Sequence, residues 1–196
     1  MPKEILFDEE EVLRRATELF WTRGYNATSM DELTRATGLS RSSIYNSFGG
    51  KHDLFMRCLR YYVNDQERQL HELAGKMKPV DQRIRAAFQF AVEEILADRM
   101  RKGCMMVNTT TEMVNQDKAI AAVAAENMEN MEKLFADWIR EGQAARDIHT
   151  TLAPQVLGRF LFNTYSGLKV YGKTRPDRKP LEDIITVALS VLEGRA

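Results

Sequence analysis

The sequence predicts an all-α protein: a small N-terminal three-helix unit followed by a larger helical domain. Three observations carry that reading. Apolar residues recur at three- and four-residue steps along almost the whole chain, and no stretch alternates as a half-buried strand does. The apolar runs are punctuated by Ser, Asp and Gly where helices start and stop. The 196 residues, 44% apolar and 29% charged, suffice for one good core or for a small module joined to a larger domain.

In the first helix, Val12, Leu13, Ala16, Leu19 and Phe20 form the inner stripe. Asp8 is placed as N-cap, with Glu11 three residues later, and Gly24 supplies a left-handed stop. Ser29 followed by Glu32 repeats the capping signal, Leu33 and Ala36 face inward, and Gly38 ends the second helix after about two turns. Ser40 caps a third short helix, in which Ile44 and Phe48 share a face and Gly49 and Gly50 end the run. From Lys51 a longer pattern begins, with Leu54, Phe55, Leu59 and Tyr62 on one side, reaching about Gly75. Further helices fall at about 79–98, 104–114, 117–145, 152–171 and 180–194, with Pro79, Pro154 and Pro180 in first turns, where a missing N–H costs little. The count is about nine helices. The expected division is residues 1–50 and 51–196.

Charge and composition exclude several classes. The 28 Lys plus Arg balance the 28 Asp plus Glu, so any electrostatic site must be local. Cys58 and Cys104 are the only cysteines, with no C-x-x-C and no companion histidines, which argues against a disulfide framework or metal site and suits a reducing cytoplasm. The longest stretch without Asp, Glu, Lys or Arg, Ile148 to Gly158, is too short to span a membrane, and no export signal is visible. His52, His71 and His149 are far apart, no G-x-S-x-G or H-E-x-x-H occurs, and Gly49-Gly50-Lys51 lacks the rest of a phosphate loop. No catalytic or cofactor-binding pattern is present.

Two short helices joined through the Gly38 turn, with a third packed across them, are the pattern of a helix-turn-helix reader of double-stranded DNA. In "GLSRSSIYNSF", residues 38–48, Ile44 and Phe48 point into a small core with Leu33, Leu39 and Leu19. That leaves Arg41, Ser42, Ser43, Tyr45, Asn46 and Ser47 facing outward. Arginine can present two donors to a guanine edge, hydroxyls can serve bases or phosphates, and a tyrosine hydroxyl reaches phosphate from a rigid ring. Residues 35–60 carry Arg35, Arg41, Lys51, Arg57 and Arg60 against Asp53 alone, five charges against one in a neutral chain. The alternative, a helical scaffold that binds no DNA, leaves this patch and this polar face without a use.

The stretch "ELFWTRGYNATSMDELTRATGLSRSSIYNSFGGKHDLF", residues 18–55, resembles the N-terminal domain of the tetracycline-repressor (TetR) family of bacterial transcription regulators. The likeness is carried by the aromatic end of the first helix before Gly24 and Tyr25, by Thr28 and Ser29, by the Thr37-Gly38 turn, and by I-Y-x-x-F followed by G-G-K. Thr34, Thr37 and Ser47 depart from the usual pattern. The resemblance implies phosphate contacts from Thr28, Ser29, Tyr45 and Lys51, and groove contacts from Arg41, Ser42, Ser43 and Asn46. It also implies a homodimeric repressor on a palindromic operator, released by a small-molecule effector. The last two long helices would form the dimer interface, with Leu157, Leu161, Leu168, Ile184, Ile185, Ala188, Leu189 and Leu192 as its apolar candidates.

Six of the ten methionines lie between Met100 and Met131. With nearby aromatics they suit an adaptable hydrophobic pocket. Phe88, Met105, Asn108, Met128, Met131 and Phe135 are the lining candidates, plain core packing being the alternative for each. Cys104 follows Gly103 at an expected helix start, close after Arg99, Arg101 and Lys102, a setting that favours a thiolate. "RKGCMMVNTTTE" resembles the branch of the family that responds to reactive electrophiles, which makes Cys104 a candidate redox or electrophile sensor; the alternative is a small buried hydrophobe.

Overall fold

The computed structural model describes residues 7–74, 77 and 79–193 and is all-helical over that range, with nine α-helices and one 3-10 turn among the described residues. In order these are α1 (Glu9–Arg23), α2 (Met30–Thr37), α3 (Arg41–Phe48), α4 (Lys51–Ala74), α5 (Val80–Ala97), α6 (Met105–Met113), α7 (Lys118–Ala145), α8 (Pro154–Thr174) and α9 (Arg178–Leu189), followed by the 3-10 turn at Ser190–Leu192. The expected fourth-helix end at Gly75 lies outside the described residues. Pro79 is the N-cap of α5 rather than a first-turn residue, and α9 begins two residues before Pro180.

The helix starts follow local chemistry. Asp8 accepts from the backbone N–H groups of Glu10 and Glu11, while the Glu11 carboxylate is bound by Arg14 and Arg15. Ser29 and Glu32 form a complete reciprocal capping box, and Ser40 accepts from Ser43 N. Gly38 and Gly49 adopt the left-handed conformation that ends α2 and α3.

Two hydrophobic clusters divide the protein. One joins Val12, Ala16, Phe20, Leu33, Ile44 and Phe48 to Leu54, Phe55, Cys58 and Leu59 of α4 and to Met105 and Met113 of α6. The expected boundary at residue 50 therefore falls inside a continuous core, because the first turns of α4 supply its floor. Fully burying Ile44 and Phe48 contributes about 1.5–3 kcal/mol each. The other cluster is built by α5, α7, α8 and α9 around Phe88, Phe135, Leu161, Tyr165 and Leu181. There α7 and α8 approach so closely that a Cβ at Gly158 would lie 2.6 Å from the Glu132 carbonyl oxygen.

The residues expected to pair two protomers have a different place. Leu157, Leu161, Leu168, Ile185, Ala188, Leu189 and Leu192 are buried within the protomer, and Ile184 packs against them. The apolar side chains that α8 and α9 expose are Val156, Phe160, Val170 and Val187. On both helices the larger share of the bulky apolar side chains faces the protomer's own core, and the exposed ones are three on α8 and one on α9.

Candidate nucleic-acid interface and effector cavity

The start of α3 is organised by Ser40, whose Oγ accepts from Ser43 N at 3.1 Å and lies 2.9 Å from both Ser42 Oγ and Ser43 Oγ. With Ile44 and Phe48 held beneath, Arg41, Ser42, Tyr45 and Asn46 are exposed and Ser43 is half-buried. Tyr45 is 56% exposed. Its ring leans on Gly50, where a Cβ would meet it at 3.2 Å with the backbone at φ +133°, so glycine makes room for the ring there. Arg41 Nη2 donates to Asp31 Oδ1 on α2 at 2.7 Å. That contact raises the Arg41 pKa, and because both groups are exposed the pair is screened and readily exchanged for another partner.

Lys51, at the first position of α4, is half-buried, with its ammonium 4.3 Å from the Tyr25 ring centroid. Burial holds its pKa below the usual lysine value, and among the described residues it makes no ion pair within 4.0 Å. It can therefore offer a charge that is not already neutralised.

Two of the expected phosphate contacts are placed differently. Thr28 is 1% exposed, and its hydroxyl donates to Gly24 O at 2.7 Å, closing the turn between α1 and α2. Gly24, at φ +81° and ψ 169°, turns the chain so that Thr28 folds beneath it, and the side chain is structural rather than presented to a ligand. Ser29 is exposed, yet its N–H and Oγ both lie 2.9 Å from Glu32 Oε2, so its hydroxyl is engaged in the cap.

Among α4, α6, α7 and α8 lies a cavity of about 240 Å³. Val63, Leu70, Met106, Met131 and Phe162 form apolar walls, and Tyr62, Cys104, Tyr165 and Lys169 bring polar atoms to it. Of the six expected lining residues, Met128 and Met131 line it. Phe88 and Phe135 stand in the core, their ring centroids 5.6 and 6.0 Å from that of Tyr165. Met105 is buried in the N-terminal cluster, because one residue's rotation along α6 gives the cavity wall to Met106 instead. Asn108 pins the loop before α6, donating to Lys102 O at 2.7 Å and accepting from Lys173 Nζ at 3.1 Å.

Lys169 is only 7% exposed and donates to Glu94 Oε2 at 2.9 Å and Gln66 Oε1 at 3.2 Å. Burial opposes its charge, but the oxygens of Tyr165, Tyr62 and Glu94 outweigh that and keep it protonated. The sequence carried a signal for it: Leu161, Tyr165 and Lys169 recur at four-residue steps, which sets a lysine in an apolar stripe. Cys104 is the half-buried N-cap of α6, and its sulfur accepts from the Tyr62 hydroxyl at 3.7 Å. Lys102, one of the cations expected to favour a thiolate, is turned elsewhere, with Nζ 2.8 Å from Glu18 Oε1 and 3.9 Å from the Trp21 ring centroid.

Residues 12–58 match the family model for bacterial regulatory proteins of the tetR family, and residues 81–188 match that for the tetracyclin repressor-like C-terminal domain. The chain belongs to the TetR family. Among its relatives, the uncharacterized HTH-type transcriptional regulator YezE of Bacillus subtilis (strain 168) is 27% identical over 190 residues, covering 95% of this chain and 97% of that protein. The HTH-type transcriptional repressor DhaR of Mycobacterium sp. (strain GP1) is 25% identical, covering 93% and 91%. A cysteine mutant of the TetR-family regulator CifR, solved with 26 bp double-strand operator DNA, superposes with a TM-score of 0.85 at 26% identity over 97% of this chain and 99% of that one.

In this TetR-family chain the helix-turn-helix is tied to the rest of the protein at the corner between α6 and α7. Glu112, near the end of α6, accepts from Tyr25 N at 3.1 Å and Asn26 N at 2.8 Å in the turn between α1 and α2. Asp117, the N-cap of α7, lies 2.7 Å from His52 Nε2 at the start of α4. Burial lowers the His52 pKa, but its hydrogen bonds to Asp117 and Asp53 outweigh that and raise it. Sequence reasoning missed both ties: the partners are 87 and 65 residues apart, and nothing local marks them.

Proposed function

We propose that the protein is a homodimeric, cytoplasmic transcriptional repressor that grips a palindromic DNA operator through α3 of each protomer and releases it when a small molecule occupies the cavity. The carrying observation is the polar face of α3, in which Arg41, Ser42, Tyr45 and Asn46 stand exposed over a fully apolar anchor. In this reading Arg41, Ser42, Ser43 and Asn46 meet the groove, and Tyr45, Lys51 and the Ser29 end of α2 meet phosphate. The operator complex of CifR and the repressor name of DhaR support it. Val156, Phe160, Val170 and Val187 supply an apolar surface on α8 and α9 on which a second copy would pack, and two protomers read what one short helix cannot. The relatives are regulators, and the chain is assigned no enzymatic activity.

Release follows from connectivity. Met106, Val107 and Thr110 of α6 line the cavity, and Glu112, at the far end of the same helix, holds the turn between α1 and α2. A ligand that favours another position of α6 also favours another spacing of the two α3 helices. By linkage it must bind the operator complex more weakly than the free dimer, by the factor with which it weakens DNA binding. Cys104 lines the cavity, which supports reading it as the residue that would meet an electrophilic effector. The test is affinity capture of fragments of the source genome by the purified protein, followed by footprinting; the reading fails if no fragment is enriched over bulk DNA.

A further inference from the structure

We propose that the effector cavity takes a compact, uncharged molecule with an apolar body and one hydrogen-bond-accepting oxygen, such as a ketone, ester or ether, seated by the Tyr165 hydroxyl. The inference rests on the reading of this cavity as the effector site and names the chemistry of its ligand.

Tyr165 lines the cavity, is 5% exposed, and its buried hydroxyl has no hydrogen-bond partner among the described residues. Its neighbours do not supply an acceptor. The Lys169 ammonium, 5.1 Å from the Tyr165 ring centroid, carries donors only, and the Tyr62 hydroxyl is directed to Cys104 Sγ. A buried O–H without an acceptor favours any ligand that brings one.

Charge disfavours an acid in the buried part of the cavity. Of the two cations on its wall, Lys169 is buried and held by Glu94 at 2.9 Å, while Arg159, which faces Glu132 at 3.3 Å, has a side chain that is 69% exposed and screened by water. A ligand carboxylate would have to displace one of those acids or add an unpaired negative charge to a largely apolar chamber. A neutral acceptor leaves both pairs intact. At about 30 Å³ per water-sized volume the cavity corresponds to about eight waters, which suits a ligand of about eight to ten non-hydrogen atoms.

The test is calorimetric titration of the intact protein with three probes of nearly equal shape: acetophenone, benzoate and ethylbenzene. Acetophenone should bind about three- to tenfold more tightly than ethylbenzene, the advantage of one hydrogen bond, and benzoate should bind most weakly. In Tyr165→Phe, which keeps the ring, acetophenone and ethylbenzene should bind alike. Benzoate as the strongest probe overturns the assignment, as does an acetophenone preference that survives in Tyr165→Phe, or no heat from any probe up to about 10 mM. The wild-type ranking alone decides the charge question should Tyr165→Phe fold poorly. Operator release is measured separately: acetophenone binding that depends on Tyr165 but leaves operator affinity unchanged sustains the ligand chemistry and sinks the effector reading.

Discussion

Replacing Glu112 with alanine removes the acceptor for two backbone donors at once. The Tyr25 N–H is half-buried, and a hydrogen bond from such a donor to a charged acceptor contributes about 1.5–3 kcal/mol. The Asn26 N–H is exposed and can turn to water, so its loss adds little. The sum is about 2–3 kcal/mol, and for a chain of 196 residues each kcal/mol moves the melting temperature by about 2–4 °C, giving a fall of about 4–12 °C. Glu112→Gln keeps one acceptor oxygen and should fall about half as far. Differential scanning calorimetry of the three proteins measures this directly. Melting of Glu112→Ala within about 1 °C of the wild type would show that the clamp holds nothing, and with it the route from α6 to the DNA-binding unit would fail.

The other predictions use the same interfaces. Because His52 has a raised pKa in the folded protein, its bond to Asp117 stabilises fully below the ordinary imidazole range and is lost as pH rises through the raised value. Wild type should therefore lose more melting temperature than His52→Gln between about pH 6 and pH 8, and equal losses would contradict this. Burial pushes the Cys58 thiol up to about 12, whereas Cys104 lines the cavity, so brief iodoacetamide treatment followed by mass mapping should find Cys104 modified and Cys58 intact; equal labelling would count against the buried packing of Cys58. Asp31 holds Arg41 in the free protein and would compete with DNA for it. Asp31→Asn should therefore tighten operator binding about two- to fivefold in fluorescence anisotropy at low salt, and weaker binding would mean that Asp31 instead positions Arg41 for the groove.

Much of the fold was legible because its signals are local. The capping box of Ser29 and Glu32, the Ser40 cap and the glycine stops lie within a few residues of what they control, and the Ile44–Phe48 spacing alone sets which face of α3 is polar. Tertiary placement was less legible. Thr28 was expected as a phosphate contact because the family resemblance implies it, yet the Gly24 turn folds it inward. Phe88, Phe135 and Met105 carried the right chemistry for a pocket, but a core needs the same residues, and only the rotation of each helix separates wall from interior. The expected interface residues of α8 and α9 went inward for a related reason, since an apolar position on a helix does not say whether it faces the protomer's own core or a second copy. Lys169 was missed although its spacing from Leu161 and Tyr165 sets it in an apolar stripe, and its role became visible only with Glu94 and Gln66 beside it.

The central claim, that α3 reads DNA as half of a dimer, is tested most directly by selecting binding sites from random double-stranded DNA with wild type, Arg41→Ala and Lys51→Ala in parallel. The account predicts a two-fold symmetric consensus for wild type, its half-site centres about 10 base pairs or a multiple apart. With Arg41→Ala the consensus should lose preference at one position in each half-site; with Lys51→Ala the same consensus should return at lower affinity and with a shallower salt dependence. Enrichment of no sequence by wild type, or an unchanged consensus with Arg41→Ala and altered bases with Lys51→Ala, would contradict it.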